Sequence, residues 1–207
     1  MNVKTAYCKK SRGFTIIEMV VSIGIFAFMT AFLVAKYGTF NQSVLLTNLA
    51  YDTAITIRNA QASALNVQGA ASTTGVSSLS FTNAYGVHFG GATPVNQFVY
   101  YVNTAPTGST PVMTYGPGTQ TLTVYTMQTG NTITSVCTQQ ENPCLATDAA
   151  TSLDIAFQRP NPDAIITAYS VVNGTTTPAY AQISITAADG SVRMVSVRST
   201  GQISVGN

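Results

Sequence analysis

The sequence predicts an α+β fold in which one long N-terminal α-helix, membrane-spanning in its first half, packs on an antiparallel β-sheet or a two-sheet globular domain. Three observations carry this expectation. Residues 14–35 form an apolar run of 22 residues whose only ionisable group is Glu18. Beyond that run the apolar positions recur at a helical period to about residue 66, and no proline occurs before Pro94. After Gly69 the period changes to two, in short runs rich in Val, Ile, Thr, Tyr and Phe.

A helix rises about 1.5 Å per residue, so residues 14–35 span roughly 33 Å, enough for a bilayer core. A lone carboxylate in such a segment costs on the order of 2.5–3.5 kcal/mol at mid-membrane. Glu18 lies near the end of the run, where the cost is lower, but it still asks for a partner. The preceding residues 1–13 hold Lys4, Lys9, Lys10 and Arg12 and no acid. This +4 segment favours a cytoplasmic N-terminus, and it accounts for the basic balance of a chain whose remainder carries about −2. An ordinary secretory signal would have a shorter apolar region without an acid in it. A plain anchor would give no reason for Glu18.

The helix is expected from residue 15 to about 66, near ~75–80 Å at the standard rise. In its second half Leu46, Leu49, Ala50, Thr53, Ile57, Ala60 and Ala64 fall on one side, with Asn48, Asp52, Asn59 and Ser63 opposite and Ile55 as the exception. Gly24 and Gly38 each cost about 1 kcal/mol relative to Ala. They read equally as small-residue packing positions or as points of local melting.

Strands are expected over residues 78–81, 85–89, 97–102, 121–127, 132–136, 152–158, 181–187, 191–198 and 202–205. Asp189-Gly190 predicts a two-residue hairpin turn between two of the last strands. The apolar residues of those two strands do not fall on one face, which predicts a bulge or burial on both sides. Residues 104–118, 139–151, 159–163 and 173–178 read as loops. The domain over residues 67–207 is the size of a single-core unit. Only 8% of the chain is charged, an ordinary balance for an extracytoplasmic protein rich in strands and turns.

Of three cysteines, Cys8 lies in the basic leader, which leaves Cys137 and Cys144 in C-T-Q-Q-E-N-P-C. Outside the cytoplasm two such cysteines most often pair. The alternative, a metal site, wants further Cys or His ligands, and the chain has one histidine. A disulfide is therefore favoured, closing a short loop worth roughly 2–3 kcal/mol.

The residues supply little for catalysis, and neither a catalytic residue nor a cofactor is assigned. His88 is placed opposite Tyr85, Val87 and Phe89 and expected to be half-exposed. Glu141, Asp148, Asp154, Asp163 and Asp189 are expected mainly in or beside turns. Asp163 and Asp148 are weak calcium candidates without D-x-D-x-D spacing, and no metal site is assigned. The tyrosines read as core and sheet-face packing. Nucleic-acid binding would need a basic stripe. Beyond the leader only Arg58, Arg159, Arg193, Arg198 and Lys36 are basic, and Arg193 and Arg198 point to opposite faces of a strand.

The order basic leader, Gly13, Phe14, Thr15, Glu18, apolar run resembles the processing site of type IV prepilins and pseudopilins. The resemblance implies that a prepilin peptidase, recognising a leader with Lys9, Lys10 and Arg12, cuts between Gly13 and Phe14. Phe14 then becomes the N-methylated first residue. It also implies that Glu18 serves assembly with other pilin or pseudopilin subunits and an inner-membrane platform. The implied location is the bacterial inner membrane, single-pass, with the domain extracytoplasmic and assembled into a periplasmic or cell-surface filament. The R-N-A-Q of residues 58–61, Y-G-V-H-F of 85–89 and R-x-V-x-V-x-x-x-G-Q of 193–202 are similar to H-type minor pseudopilins of type II secretion and to FimT-like minor pilins. The expected function is a structural minor pseudopilin; the alternative is a minor pilin of a type IV pilus, with DNA binding during uptake.

Overall fold

The computed structural model describes residues 13–66, 70–71, 79–80, 83–91, 95–104, 112–117, 119–128, 130–139, 144–145 and 148–206. Among the described residues a single helix, α1 (Ile16–Leu65), is followed by twelve strands. These are β1 (Ala70–Ala71), β2 (Leu79–Ser80), β3 (Ala84–Gly90), β4 (Gln97–Asn103), β5 (Gln120–Thr126) and β6 (Thr132–Cys137). Then come β7 (Ser152–Phe157), β8 (Ala164–Ser170), β9 (Gly174–Thr176), β10 (Tyr180–Thr186), β11 (Val192–Arg198) and β12 (Ile203–Gly206). The chain divides into two compact units, residues 1–41 and 42–207. The amphipathic end of α1 thus belongs to the unit that holds the sheets.

That unit has two main antiparallel sheets, a six-stranded one ordered β5-β4-β3-β7-β8-β9 and a four-stranded one ordered β12-β11-β10-β6. β1 and β2 form a separate two-stranded ribbon. Alternation sends Tyr85, Val87, Phe89, Phe98, Val102, Leu153, Ile155 and Phe157 of the large sheet into a core with Ile183, Ile185, Val195 and Val197 of the small one. Leu46, Ala50, Ala54, Ile57, Ala60 and Ala64 of α1 close the same core. The small alanines let the helix backbone approach the sheets, while Leu46 and Ile57 fill the remaining space. Thr53 and Thr56 are buried on this stripe, and their hydroxyls donate to the carbonyls of Leu49 and Asp52, four residues back. Ile55, off the pattern in sequence, is exposed.

Three expectations need correction. β8 was not among the expected strands, yet it pairs with β7 along its whole length. β9 forms inside the expected loop over residues 173–178. The β10–β11 turn is not a two-residue one. Thr186 pairs with Val192, and the Ala187 amide donates to the Ser191 carbonyl. Gly190, at φ 85°, donates its amide to the Ala187 carbonyl. This is a three-residue loop with the glycine in the left-handed position, and Asp189 Oδ1 accepts from the Ser191 amide. The irregular apolar pattern of β10 reflects burial on both faces and a register shift against β6 between Ser184 and Ile185.

Cys137 at the end of β6 is disulfide-bonded to Cys144, with Cα atoms 5.9 Å apart. Its backbone also bridges Ala149, and the Thr138 amide donates to the Asp148 carbonyl. The loop is therefore tied down at both ends.

The motifs at residues 58–61 and 193–202 meet in space. Gln61 Nε2 donates to the carbonyls of Pro162 (2.8 Å) and Gly201 (3.3 Å), and Arg58 Nη2 to that of Ile203 (3.4 Å). Gly201 has φ 79°, and a Cβ there would stand 2.3 Å from the Pro162 oxygen and 2.6 Å from Gln61 Nε2. The site admits only glycine. Gly201→Ala should destabilise residues 42–207 by about 1–3 kcal/mol, from backbone strain and loss of the Gln61 contact. Urea unfolding measures this, and an unchanged midpoint would show that the close approach is not needed.

Candidate assembly segment and a buried polar cluster

At the start of the described chain, residues 13–15 are non-helical and α1 begins at Ile16. Thr15 caps it: the Glu18 amide donates to Thr15 Oγ1 at 3.3 Å and the Met19 amide to the Thr15 carbonyl at 3.1 Å. Thr15-Ile-Ile-Glu18 has the T-x-x-E spacing of a capping box, a signal present in the sequence that the motif reading passed over. The cap places the Gly13–Phe14 bond outside the helix. It also places Glu18 in the first turn, where the helix dipole favours a negative charge. No basic side chain among the described residues pairs with Glu18; Lys9, Lys10 and Arg12 lie outside them.

The next residues show what surrounds α1. From Phe14 to Phe40 every large apolar side chain stands exposed, Phe14 and Ile16 by more than four-fifths. Two hydroxyls in this stretch are satisfied within the helix: Ser22 Oγ donates to the Glu18 carbonyl and Thr30 Oγ1 to that of Phe26. The helix is long and apolar enough to cross a membrane, with a mean hydropathy of 2.3 over its best window and none of that window buried. An added Cβ at Gly24 or Gly38 meets nothing within 4 Å. Among the described residues, neither glycine is explained by packing.

On the face of the six-stranded sheet that points away from the core, the structure overturns two expectations. His88 is buried rather than half-exposed, and Asp154 lies buried inside β7 rather than beside a turn. The two are directly cross-strand partners. His88 Nδ1 is 2.9 Å from Asp154 Oδ1, and Nε2 is 2.9 Å from the Gly90 carbonyl. A carbonyl only accepts, so Nε2 is the donor to Gly90. Both ring nitrogens are committed to internal partners, so the histidine acts here as a clamp.

The cover is residues 112–115, a strap that crosses this face. Asn103 Nδ2 donates to the Val112 and Thr114 carbonyls, and the Tyr101 hydroxyl to that of Met113. The Tyr115 amide donates to Asp154 Oδ1 at 3.1 Å. The Tyr115 ring lies 4.9 Å from that of His88 and 5.5 Å from that of Tyr101. Parity alone put His88 off the core face correctly. Its burial depends on a segment more than twenty residues away.

The remaining site residues do not converge. Among the described residues no group of three or more His, Cys, Asp or Glu could hold a metal ion. Asp148 accepts from Gln139 Nε2, and Asp163 is exposed. The Arg198 guanidinium sits 5.6 Å above the Tyr180 ring, and Arg193 Nη1 reaches only the Val192 carbonyl. Several tyrosines pack as expected, but Tyr37, Tyr51 and Tyr169 are exposed.

Residues 8–34 match the family model described as the prokaryotic N-terminal methylation motif. No curated protein and no solved structure matches the chain significantly. The motif match, on a helix start of this geometry, supports a type IV pilin-like protein, whose motif implies a structural subunit processed by prepilin peptidase and assembled with other pilins.

The Tyr101 phenol is pushed well above its ordinary value of 10.0, first by burial and then by the nearby Asp154. The fold thus favours the protonated phenol. Its contribution is complete below the unfolded value and is lost as pH rises toward the folded one. Stability toward urea should be level up to about pH 10 and fall above it. Tyr85 and Tyr100, also raised mainly by burial, contribute to the same decline. In Tyr101→Phe the decline should be shallower, and an alkaline profile identical to the parent would contradict the assignment.

Proposed function

We propose that this chain is a structural minor pseudopilin of a type II secretion pseudopilus, held in the inner membrane by α1 and then built into a helical filament. In this reading residues 1–13 are a leader removed on the cytoplasmic side, with Lys9, Lys10 and Arg12 holding the scissile Gly13–Phe14 bond at the lipid boundary. Residues 14–35 span the membrane, and the sheets lie outside the cytoplasm. The observation that carries it is the one carboxylate in the apolar run of residues 14–35. Glu18 stands in the first turn, one turn from the amine that cleavage would create on Phe14, and no basic side chain among the described residues answers it.

Two helices side by side resolve this. The Glu18 carboxylate of one subunit pairs with the Phe14 amine of its neighbour. Such a pair at 4 Å is worth about 1 kcal/mol in water and several in a low-dielectric helix bundle. Leaving either charge alone there is costly, so the same group disfavours the isolated state and fixes the register of the assembled one.

The reading as a secretion subunit draws on the domain. The segments similar to H-type minor pseudopilins, residues 58–61 and 193–202, serve here to dock α1 on the sheets. Arg58 and Arg198 are engaged internally, and Arg193 projects from the face of β11 opposite Arg198. That distribution is not the basic stripe that a DNA-uptake pilin would use.

Mass spectrometry of the protein purified from membranes should find a terminus at N-methylated Phe14. Glu18→Val should be cleaved and inserted normally but enter filaments at least tenfold less than the parent. A retained Met1 would refute the processing step, and normal incorporation of Glu18→Val would refute the role given to the carboxylate.

A further inference from the structure

The buried pair His88–Asp154 has no part in anchoring or assembly, yet burying two such groups is costly unless each is fully engaged. What they engage is the strap over residues 112–115. We infer that this strap is a latch that opens as a unit while the sheets stay folded, with Asp154 as the residue that holds it closed. The inference stands independently of the pilin reading.

The argument rests on what the strap is held by. The core behind the other sheet face is apolar and continuous, from α1 through both sheets. The strap is attached differently. Apart from the Tyr115 hydroxyl beside Thr121, it is joined to the sheet through hydrogen bonds between the side chains of Asn103, Tyr101 and Asp154 and its own backbone. Of its side chains, Val112 is about two-thirds exposed, and Met113, Thr114 and Tyr115 are only partly covered. A groove of about 260 Å³ lies beside it, lined by Asn103, Val112, Thr114, Tyr115, Pro117 and Thr119. Elements with little buried apolar surface and backbone bonds close to solvent are those that open below the global unfolding free energy.

Opening is also favoured by what lies underneath. Water can take over the hydrogen bonds of Asn103, His88, Asp154 and the Tyr101 hydroxyl, so lifting the strap exposes mainly polar groups, with the Tyr101 ring as the apolar exception. Asp154 is the keystone, because its Oδ1 accepts from the Tyr115 amide and is hydrogen-bonded to Nδ1 of the clamped His88 ring. It thereby joins β3, β7 and the strap in one network. Beyond the strap a tight turn follows, in which the Thr119 amide and hydroxyl both donate to the Gly116 carbonyl. The Tyr115 hydroxyl lies 3.2 Å from Thr121 Oγ1 at the start of β5.

Hydrogen exchange on the full chain in detergent micelles tests this at the Tyr115 amide. In the parent it should exchange at least tenfold faster than the amides of β3 and β7, at a rate insensitive to low urea, the signature of local opening. Asp154→Asn should speed it at least a further tenfold and leave β10 and β11 unchanged. Tyr115→Phe, which keeps the ring and loses only the contact to Thr121, should alter it less than twofold. Exchange of the Tyr115 amide at the rate of β3 and β7, with the same urea dependence, would overturn the latch. So would an Asp154→Asn effect spread evenly over both sheets. If Asp154→Asn does not fold, the urea dependence in the parent decides alone.

Discussion

The constraint on which the structure depends is that, among the described residues, the large apolar side chains of the first half of α1 are left exposed. Its apolar side chains stand outward on every side from Phe14 to Phe40. About 25 cal/mol is lost for each Å² of apolar surface left in water, so a stretch of this size cannot remain hydrated. In the proposed reading lipid covers it first, and in the filament other helices replace lipid. That exchange alone gives little driving force, since lipid tails are as apolar as the side chains. The carboxylate proposed to pair across subunits would make the two apolar surroundings unequal.

The second half of the same helix solves the ordinary problem of a soluble domain. One stripe, built of Leu46, Ile57 and small residues, closes a core between two sheets. Gln61 and Arg58 fix its end by bonds to backbone carbonyls, which hold position without dictating the partner side chain. The helix therefore changes its solvent along its length, and its sequence changes period with it. The back of the six-stranded sheet is a third environment. There a polar network replaces apolar packing, so the strap is specified by hydrogen-bond geometry rather than by fit.

Much of this was legible in the residues, for physical reasons that also explain the misses. The helix bounds, expected at 15 and 66 and found at Ile16 and Leu65, follow from a long unbroken pattern between two natural stops. Most strands announced themselves by alternation between turn residues. β8 did not, because its pattern is inverted. The buried positions are Ala164, Ile166, Ala168 and Ser170, while Ile165 and Tyr169 face out. Size and burial point opposite ways, and the period-two signal cancels. His88 and Asp154 were misjudged because burial of the back face is supplied by residues 112–115, and no local pattern reports such a cover. The cap at Thr15 was present as T-x-x-E but stood inside a motif read for processing alone.

The central claim, that this helix is covered by something other than its own domain, is tested most directly by partitioning. Membranes from cells producing the full chain should retain it through alkaline carbonate washing and release it only with detergent. Substituting charged residues through positions 20–34 should move it to the aqueous fraction with its disulfide and sheet content intact. Recovery of the unaltered full chain as a monomer in the aqueous fraction, without detergent, would contradict the account.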